Sequence, residues 1–370
     1  MSRTLKLATV QMDAAPAPTP DRLARAEALV ARAAEAGAQL VVLPELFNVG
    51  YEYHDRNYGL AEPLTGPTMV WLKATAAEFG LHLAGSFMLL DSDEVFNSAF
   101  IVAPDGRTWR YDKIYPYVWE RAYFREGRDI TVAETDLGKL GMLICWDSGH
   151  PELWRRYAGL VDALVITSCP PNLHRADLVL PNGERTRSTA FGVPIPEDVH
   201  FQDLTVNEQA GWLRVPVVAS SGGGAFRSRM PVSLLSLLSL LGVSPALPRF
   251  WRAADEVMLE SGYGPFAKII DAQGRTLDCV EAEGDGVAVA EVTLAETQPQ
   301  PIGPQPSPHM PASMRWALDW FGALLMIPQY RQGLRRQWGE QMAPMDPRTL
   351  VWAVIVLGAA LIGYGVGRRK

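Results

Sequence analysis

The chain has 370 residues, of which 48% are hydrophobic and 20% are charged, and its formal net charge is −7. A chain of this size and composition can bury one large core or two smaller ones, and it lacks the signature of a disordered protein. The segment from residue 311 onward holds 8 Lys and Arg against 3 Asp and Glu, so the rest of the chain is distinctly acidic. An acidic body disfavours nucleic acid as a partner.

The cysteine content argues against a disulfide-stabilised or zinc-binding protein. Three cysteines give no disulfide framework in a chain of 370 residues, and no Cys/His cluster has the spacing of zinc ligands. The apolar stretch at the N-terminus is broken by Gln11 and Asp13, which is too early for a signal peptide. We therefore predict a body that stays in the cytoplasm and uses neither a metal nor another cofactor.

Short β-branched runs alternate with helical stretches over residues 1–296. "LKLATVQM" predicts a strand, "DRLARAEALVARAAEAGA" an amphipathic helix that ends at glycine, and "QLVVLPE" the next strand. The runs "LGMLICW" and "VPVVASSG" continue the series, and "AKIIDAQGRTLD" with "GVAVAEVTL" predicts a strand, a turn and a strand. This alternation predicts a layered α/β domain with a mixed sheet.

Residues 230–248, "MPVSLLSLLSLLGVSPALP", interrupt the series with an apolar stretch that is too short to span a membrane. The stretch fits a buried helix, a loop that dips into a membrane, or a contact with a partner. The sequence leaves these three interpretations open.

Two segments of different character follow the α/β domain. Residues 297–312 are rich in proline and predict an extended, semi-rigid linker. Within residues 313–345, Trp316, Trp320 and Leu324 fall on one side of a helix, and arginines follow them. This pattern favours an amphipathic helix that lies in a membrane interface. A helix packed on the body or on a second subunit is the alternative.

The last segment predicts a membrane anchor. Residues 349–367, "TLVWAVIVLGAALIGYGVG", have no charged side chain, and about 19 such residues suffice to cross a hydrocarbon core. Trp352 and Tyr364 lie near its ends, where aromatic rings prefer the interface. We predict a single C-terminal transmembrane helix with the body on the cytoplasmic side; a hydrophobic helix docked on the body is the alternative.

The candidate nucleophile is Cys145, which follows an apolar run and precedes a turn and the helical stretch "PELWRRYAG". This order fits an elbow that exposes a thiol and aims backbone N–H groups at the site. A cysteine after an apolar run is also a common core residue. Histidine is the usual base for a thiol, but His150 is only five residues away, within the same turn region. A Cys-His hydrolase is therefore poorly supported.

Carboxylates and a lysine could replace the histidine. Glu45 follows the apolar run "LVVLP", where desolvation would raise the pKa of its carboxyl group toward that of a useful base. Lys113 and Glu120 lie seven residues apart in "RYDKIYPYVWERAYFREG". Each also has an ordinary interpretation. Glu45 could be a helix cap and Lys113 a solvated charge at a strand end. Glu120 could pair at the surface with Arg121 or Arg125.

Taken in this order, the motifs resemble those of the nitrilase, or carbon-nitrogen hydrolase, superfamily. "LVVLPELF" is similar to its glutamate motif, "YDKIYPYVWERAYFREG" to its lysine motif with a second glutamate, and "GKLGMLICWDSGHPELWR" to its cysteine motif. The resemblance extends from "LKLATVQMD" to "GVAVAEVTLAE". It implies a four-layer α-β-β-α sandwich whose subunits commonly pair, and hence a homodimer or a higher homo-oligomer.

The resemblance also implies a role for each motif residue. Cys145 would be the nucleophile, Glu45 the general base and then acid, and Lys113 the cation that stabilises the tetrahedral intermediate. Glu120 would orient the substrate and the catalytic groups. A nearby ammonium should also lower the pKa of the thiol. Three further residues are candidates for the oxyanion and substrate-binding site: Trp146, through its backbone N–H, Tyr51 and Asp147.

The residues after the nucleophile, "CWDSGHPELWR", resemble the amidase and carbamoylase branches through Asp147, although Trp146 is typical of nitrilases. We therefore predict hydrolysis of a non-peptide amide or carbamoyl bond through a thioester. Conversion of a nitrile to acid and ammonia is one alternative, and a catalytically idle membrane scaffold of the same fold is another. A membrane tether would make a lipophilic amide a candidate substrate, whose acyl chain residues 230–248 could guide.

Overall fold

A computed structural model describes residues 3–173, 176–187, 201–231, 233, 236, 247–264, 266–310 and 312–339. Strands and helices alternate along these residues as the sequence predicts. The strands are β1 (Arg3–Asp13), β2 (Leu40–Val42), β3 (His82–Asp91), β4 (Glu94–Val102), β5 (Thr108–Asp112), β6 (Val132–Thr135), β7 (Gly138–Ile144), β8 (Ala163–Thr167), β9 (Asp177–Val179), β10 (Arg185–Arg187), β11 (Val217–Ala219), β12 (Ser221–Gly223), β13 (Ala225–Arg229), β14 (Met258–Gly262), β15 (Lys268–Ile270), β16 (Thr276–Cys279) and β17 (Gly286–Leu294). The helices are α1 (Thr19–Glu35), α2 (Pro67–Phe79), α3 (Pro151–Tyr157), α4 (Phe201–Leu213) and α5 (Ala312–Trp338).

Two mixed sheets form the centre of the molecule. Within the described residues, the first sheet has the order β12-β1-β2-β3-β4-β5, with β17 also paired to β1, and the second has the order β16-β15-β11-β8-β7-β6. A smaller sheet has the order β10-β9-β14-β13. Connections that contain helices join the parallel pairs β1-β2, β2-β3, β7-β8 and β8-β11.

The alternation of side chains along β1 explains the layering. Leu5 and Leu7 belong to the core between the sheets, whereas Val10 and Met12 pack on the other face against α1 and α2. The helix α1 matches that face because its buried residues recur at a spacing of three and four. α3 and α4 cover the outer face of the second sheet. The predicted α/β sandwich is confirmed.

The segment after residue 296 packs on the body. Gln298 Nε2 donates to Asp162 Oδ1 at 2.9 Å and Gln305 Nε2 to the carbonyl oxygen of Pro151 at 2.8 Å. These hydrogen bonds hold the predicted linker at the surface of the domain.

Part of helix α5 packs on the body, which is one of the alternatives that its sequence leaves open. Tyr330 and Leu334 are buried against the body, which is the packing of an ordinary surface helix. Gly333 is required at this contact, because a Cβ there would lie 1.9 Å from Cζ of Tyr58. Trp316 and Trp320 stack on each other with ring centroids 5.2 Å apart and remain 60% and 37% exposed. The tryptophan side of the helix is thus not covered by the body.

Among the described residues, no helix is long and apolar enough to cross a membrane. The predicted transmembrane segment, residues 349–367, and the end of the predicted amphipathic segment, residues 340–345, lie outside the described residues. Most of residues 230–248 lie outside them as well.

Candidate active site

Three strand ends bring the candidate catalytic residues together. Glu45 follows β2 and Lys113 follows β5 in the first sheet, and Cys145 follows β7 in the second. Glu120 lies in a short 3-10 turn, Val118–Ala122, that comes after Lys113. The four side chains are buried, with exposures of 2% for Glu45, 0% for Lys113, 6% for Cys145 and 1% for Glu120. Their ordinary interpretations as surface or capping groups are thereby excluded.

The ammonium group of Lys113 joins the two carboxylates. Its Nζ donates to Oε1 of Glu45 at 2.7 Å and to Oε2 of Glu120 at 2.6 Å. A buried charge is tolerated only when it is paired and hydrogen-bonded. The shared ammonium of Lys113 therefore stabilises both carboxylates in the interior.

Further donors fix the carboxylates from the opposite sides. Asn97 Nδ2 donates to Oε1 of Glu45 at 2.7 Å, and the backbone N–H of Cys169 donates to Oε2 at 3.1 Å. For Glu120, the hydroxyl of Tyr51 donates to Oε1, and the backbone N–H of Tyr117 donates to Oε2 at 2.7 Å. The predicted residue Tyr51 thus lies in the site, where it holds Glu120.

Asn97, Tyr117 and Cys169 are members of the site that sequence reasoning missed. Asn97 is a fully buried polar residue in β4, where Phe96 precedes it and Ser98 follows it. An amide side chain within a largely apolar strand is the signal in the sequence that could have marked it. The other two residues act through backbone groups, which any residue type could supply.

Cys145 sits in a strained turn. Its φ of 46° is in the left-handed region, which a residue with a Cβ seldom adopts, and the 3-10 turn Cys145–Gly149 begins at this residue. The hydroxyl of Ser148 donates to the carbonyl oxygen of Cys145 at 2.7 Å and closes the turn. The predicted elbow is present, and it directs the thiol out of the strand toward the carboxylates.

Asp147 braces the cysteine turn against the loop after β5. Its carboxylate accepts hydrogen bonds from the hydroxyl of Tyr111 at 2.8 Å, from the backbone N–H of Tyr115 at 2.8 Å and from that of Ile144 at 3.1 Å. These contacts set the distance between Cys145 and Lys113. A direct contact of Asp147 with the substrate stays a prediction.

Burial and pairing set the protonation states. Desolvation raises the pKa of Glu45 to about 7 against the pull of Lys113, so its carboxylate can accept a proton near neutral pH. Desolvation acts to lower the pKa of Lys113, but Glu120 and Glu45 outweigh it and raise that pKa, so the ammonium stays charged.

The net shift in the pKa of the Cys145 thiol is opposite to the effect expected from the ammonium alone. Burial and the charge of Glu45 raise the pKa of Cys145 well above its usual value, and Lys113 only partly opposes them. The expected lowering of the thiol pKa by Lys113 is thus present, but burial and the charge of Glu45 outweigh it. Cys145 is a thiol that must transfer its proton as it attacks.

The indole ring of Trp146 forms contacts beside the active site. The indole Nε1 donates to Oδ1 of Asp319 on α5 at 3.1 Å, and the ring packs edge-on against Tyr117 and His150. Its backbone N–H follows the nucleophile directly in the chain, and donation from it to an oxyanion stays a prediction.

In the described part of the chain, no three His, Cys, Asp or Glu side chains are grouped as metal ligands.

The chain is similar to proteins of one family. The family model for carbon-nitrogen hydrolases matches residues 6–197. A nitrilase of Pyrococcus abyssi is 36% identical over 186 residues, which are 49% of this chain and 68% of the relative. A probable nitrilase of Schizosaccharomyces pombe is 31% identical over 163 residues, 42% of this chain and 58% of the relative. The chain thus spans less than two thirds of the second relative.

A solved structure shows the same fold. The amidase of Nesterenkonia sp. superimposes with a TM-score of 0.55 at 17% identity, over 78% of this chain and 89% of the amidase. Because the family model spans more than half of the chain, including Glu45, Lys113 and Cys145, the protein belongs to the carbon-nitrogen hydrolases, enzymes that cleave carbon-nitrogen bonds other than peptide bonds.

Proposed function

We propose that the protein hydrolyses a non-peptide amide or carbamoyl bond through a thioester on Cys145. The observation that supports this most directly is the buried bridge from Glu45 through Lys113 to Glu120, beside a cysteine in a left-handed turn. A scaffold without catalytic activity would have no reason to bury these charges, since replacing them with apolar residues is often stabilising.

In the first half-reaction, Cys145 Sγ forms a bond to the carbonyl carbon while Glu45 takes the thiol proton. The carbonyl oxygen becomes an oxyanion. An ammonium has three N–H groups, and within the described residues that of Lys113 has two acceptors, so one remains for the oxyanion. Glu45 then protonates the leaving nitrogen, the carbon-nitrogen bond breaks, and ammonia or an amine departs from the thioester.

In the second half-reaction, Glu45 takes a proton from water as the water oxygen attacks the thioester carbon. The carbon-sulfur bond breaks, the acid leaves, and the thiol regains its proton. Glu45 thus alternates between base and acid, and a pKa of about 7 allows both roles near neutral pH. Glu120 accepts a hydrogen bond from Lys113 and holds the ammonium in place throughout.

The branch of the family is tested with matched substrates. The full chain is incubated with short amides and with nitriles of the same carbon skeleton, while ammonia release and the intact protein mass are followed. We expect ammonia from the amides and an acyl adduct on the Cys145 peptide, both absent in Cys145→Ala. Ammonia from the nitriles alone would establish the nitrilase alternative. No product from either class, in a folded protein, would favour the idle scaffold.

We also propose that residues 349–367 anchor the protein in a membrane, with the body on the cytoplasmic side, and that the substrate is a lipophilic amide. The uncharged length of the segment supports the anchor. The exposed pair Trp316 and Trp320 supports an additional contact of α5 with the interface. A homodimer or a higher homo-oligomer remains part of this proposal.

Two arginines inside the segment test the anchor. Each Arg near the centre of a span opposes insertion by about 2.5–3.5 kcal/mol, so Ile355→Arg with Ala359→Arg should release the protein from membranes into the carbonate-soluble fraction. Gln341→Arg, outside the segment, is the matched control. Equal distribution of all three proteins would contradict the anchor, and digestion of the body by protease outside right-side-out vesicles would contradict its orientation.

A further inference from the structure

Asp319 on α5 contacts both turns that hold catalytic residues. Its Oδ1 accepts hydrogen bonds from Trp146 Nε1 at 3.1 Å and from Arg121 Nη2 at 3.5 Å. Its Oδ2 lies 2.9 Å from Nε2 of His150. Trp146 is the residue after the nucleophile, and Arg121 is the residue after Glu120. One carboxylate from the far end of the chain therefore joins the cysteine turn to the turn of Glu120.

The contact with His150 strengthens this junction. The other ring nitrogen, Nδ1, lies 2.9 Å from the carbonyl oxygen of Trp146. Both ring nitrogens thus lie within hydrogen-bond distance of oxygen atoms, and His150 connects Asp319 to the backbone of the cysteine turn. His150 also stacks on Tyr115, with ring centroids 3.7 Å apart, so the loop after β5 joins the same assembly.

The charges at the junction depend on Asp319. Arg121 is only 4% exposed, and its partners are Asp319 and the half-exposed carboxylate of Glu126. His150 and Arg121 hold the pKa of Asp319 below its usual value even though burial opposes this, so the carboxylate is ionised. Loss of its charge would leave the buried guanidinium of Arg121 without this partner and the indole N–H of Trp146 without this acceptor.

We propose that Asp319 is a positioning residue for the active site: by binding Trp146, His150 and Arg121 together, it holds the Cys145 turn and the Glu120 turn at the separation that catalysis needs. The active site is then correctly arranged only when α5 is docked on the body. This inference rests on the proposed thiol chemistry, but not on the identity of the substrate. The residue acts through its neighbours and touches no reacting atom.

The experiment measures alkylation of Cys145 by iodoacetamide in the full chain, because this reaction needs an aligned thiol and base but no turnover. Peptide mass spectrometry gives the rate constant for Cys145, with the Cys169 and Cys279 peptides as internal references. The variants are Asp319→Asn, which keeps the shape and one acceptor oxygen, Asp319→Ala, and Asp319→Glu, which restores the charge. Arg336→Ala is the matched control, since it removes an exposed ion pair between α5 and Asp55.

We expect about a tenfold lower rate constant at Cys145 in Asp319→Asn and Asp319→Ala, partial recovery in Asp319→Glu, and less than a twofold change in Arg336→Ala. The thermal midpoint of Asp319→Asn should stay within a few degrees of the wild type; if Asp319→Ala does not fold, Asp319→Asn decides. An unchanged or higher rate constant in Asp319→Asn, or an equal fall in Arg336→Ala, would overturn the proposal. Absence of amide turnover in a chain whose alkylation still depends on Asp319 would refute the proposed function alone.

Discussion

The catalytic cluster and helix α5 lie side by side, but their charges are held in different ways. In the cluster, Lys113 pairs with Glu45 and Glu120, and all three side chains are 2% exposed or less. Near the C-terminal end of α5, Arg336 pairs with Asp55, and both side chains are more than half exposed. A buried ion pair is stable only in one well-defined geometry, whereas an exposed ion pair can form in many geometries.

This difference explains why the two regions were not equally predictable. A buried triad requires an acid, a cation and a second acid at defined strand ends, so the residue types themselves restrict the fold. An amphipathic helix needs only an apolar face, and a membrane interface or a protein surface can cover that face equally well. In α5 the body covers Tyr330 and leaves Trp316 exposed. Helical periodicity alone does not predict which of these apolar residues the body covers.

The largest effect is expected from removal of the central cation. Lys113→Ala leaves Glu45 and Glu120 buried without their shared partner, which should lower the free energy of unfolding by about 3–5 kcal/mol and abolish turnover. Urea unfolding followed by circular dichroism measures the loss. Arg107→Ala, which removes exposed pairs with Asp105 and Asp136, is the matched control and should have no measurable effect. Similar losses in both variants would remove the distinction between buried and exposed pairs.

The general base is expected to come next. Glu45→Gln keeps the size of the side chain and an acceptor for Asn97 but cannot take the thiol proton, so kcat should fall by about 10²–10⁴ with little change in folding. Glu134→Gln, in an exposed pair with Lys139, is the control and should retain full activity. A kcat for Glu45→Gln within a factor of ten of the wild type would show that another group takes the proton.

The comparison also shows where sequence reasoning ended. Glu45, Lys113, Glu120 and Cys145 could be assigned because each belongs to a motif with a chemical reason for its residue types. Asn97 could not, because its contact with Glu45 exists only after β2, β3 and β4 are paired in register. Asp319 is separated from Cys145 by 174 positions in the sequence, and only the tertiary packing of α5 reveals it.

The pH dependence of activity probes the burial of Glu45. Its pKa is raised to about 7, so the basic form is lost as the pH falls through that value. We expect kcat/KM to be constant above about pH 7 and to fall about tenfold per pH unit below it. A profile from pH 5 to 9, with circular dichroism at each pH as the control for folding, measures this. A midpoint near the ordinary value of a glutamate would mean that the carboxylate is solvated.

The smallest effect is expected at the far half of α5. The hydroxyl of Tyr330 accepts a hydrogen bond from the backbone N–H of Val95 at 2.9 Å and donates one to Glu94 at 2.5 Å. Tyr330→Phe removes both, which should cost about 0.5–1.5 kcal/mol of unfolding free energy. Because neither contact reaches the catalytic turns, kcat should stay within a factor of two of the wild type.

The same variant decides how far the influence of α5 on the active site extends. If Asp319 alone couples α5 to the active site, Tyr330→Phe should lower the thermal midpoint and leave kcat unchanged. The reason is that Asp319 lies three turns away from Tyr330 along α5. A fall in kcat as large as that in Asp319→Asn would mean that the whole helix acts as one rigid support. The positioning function would then belong to α5 as a unit, and the division between a constrained active site and a tolerant helix would no longer hold.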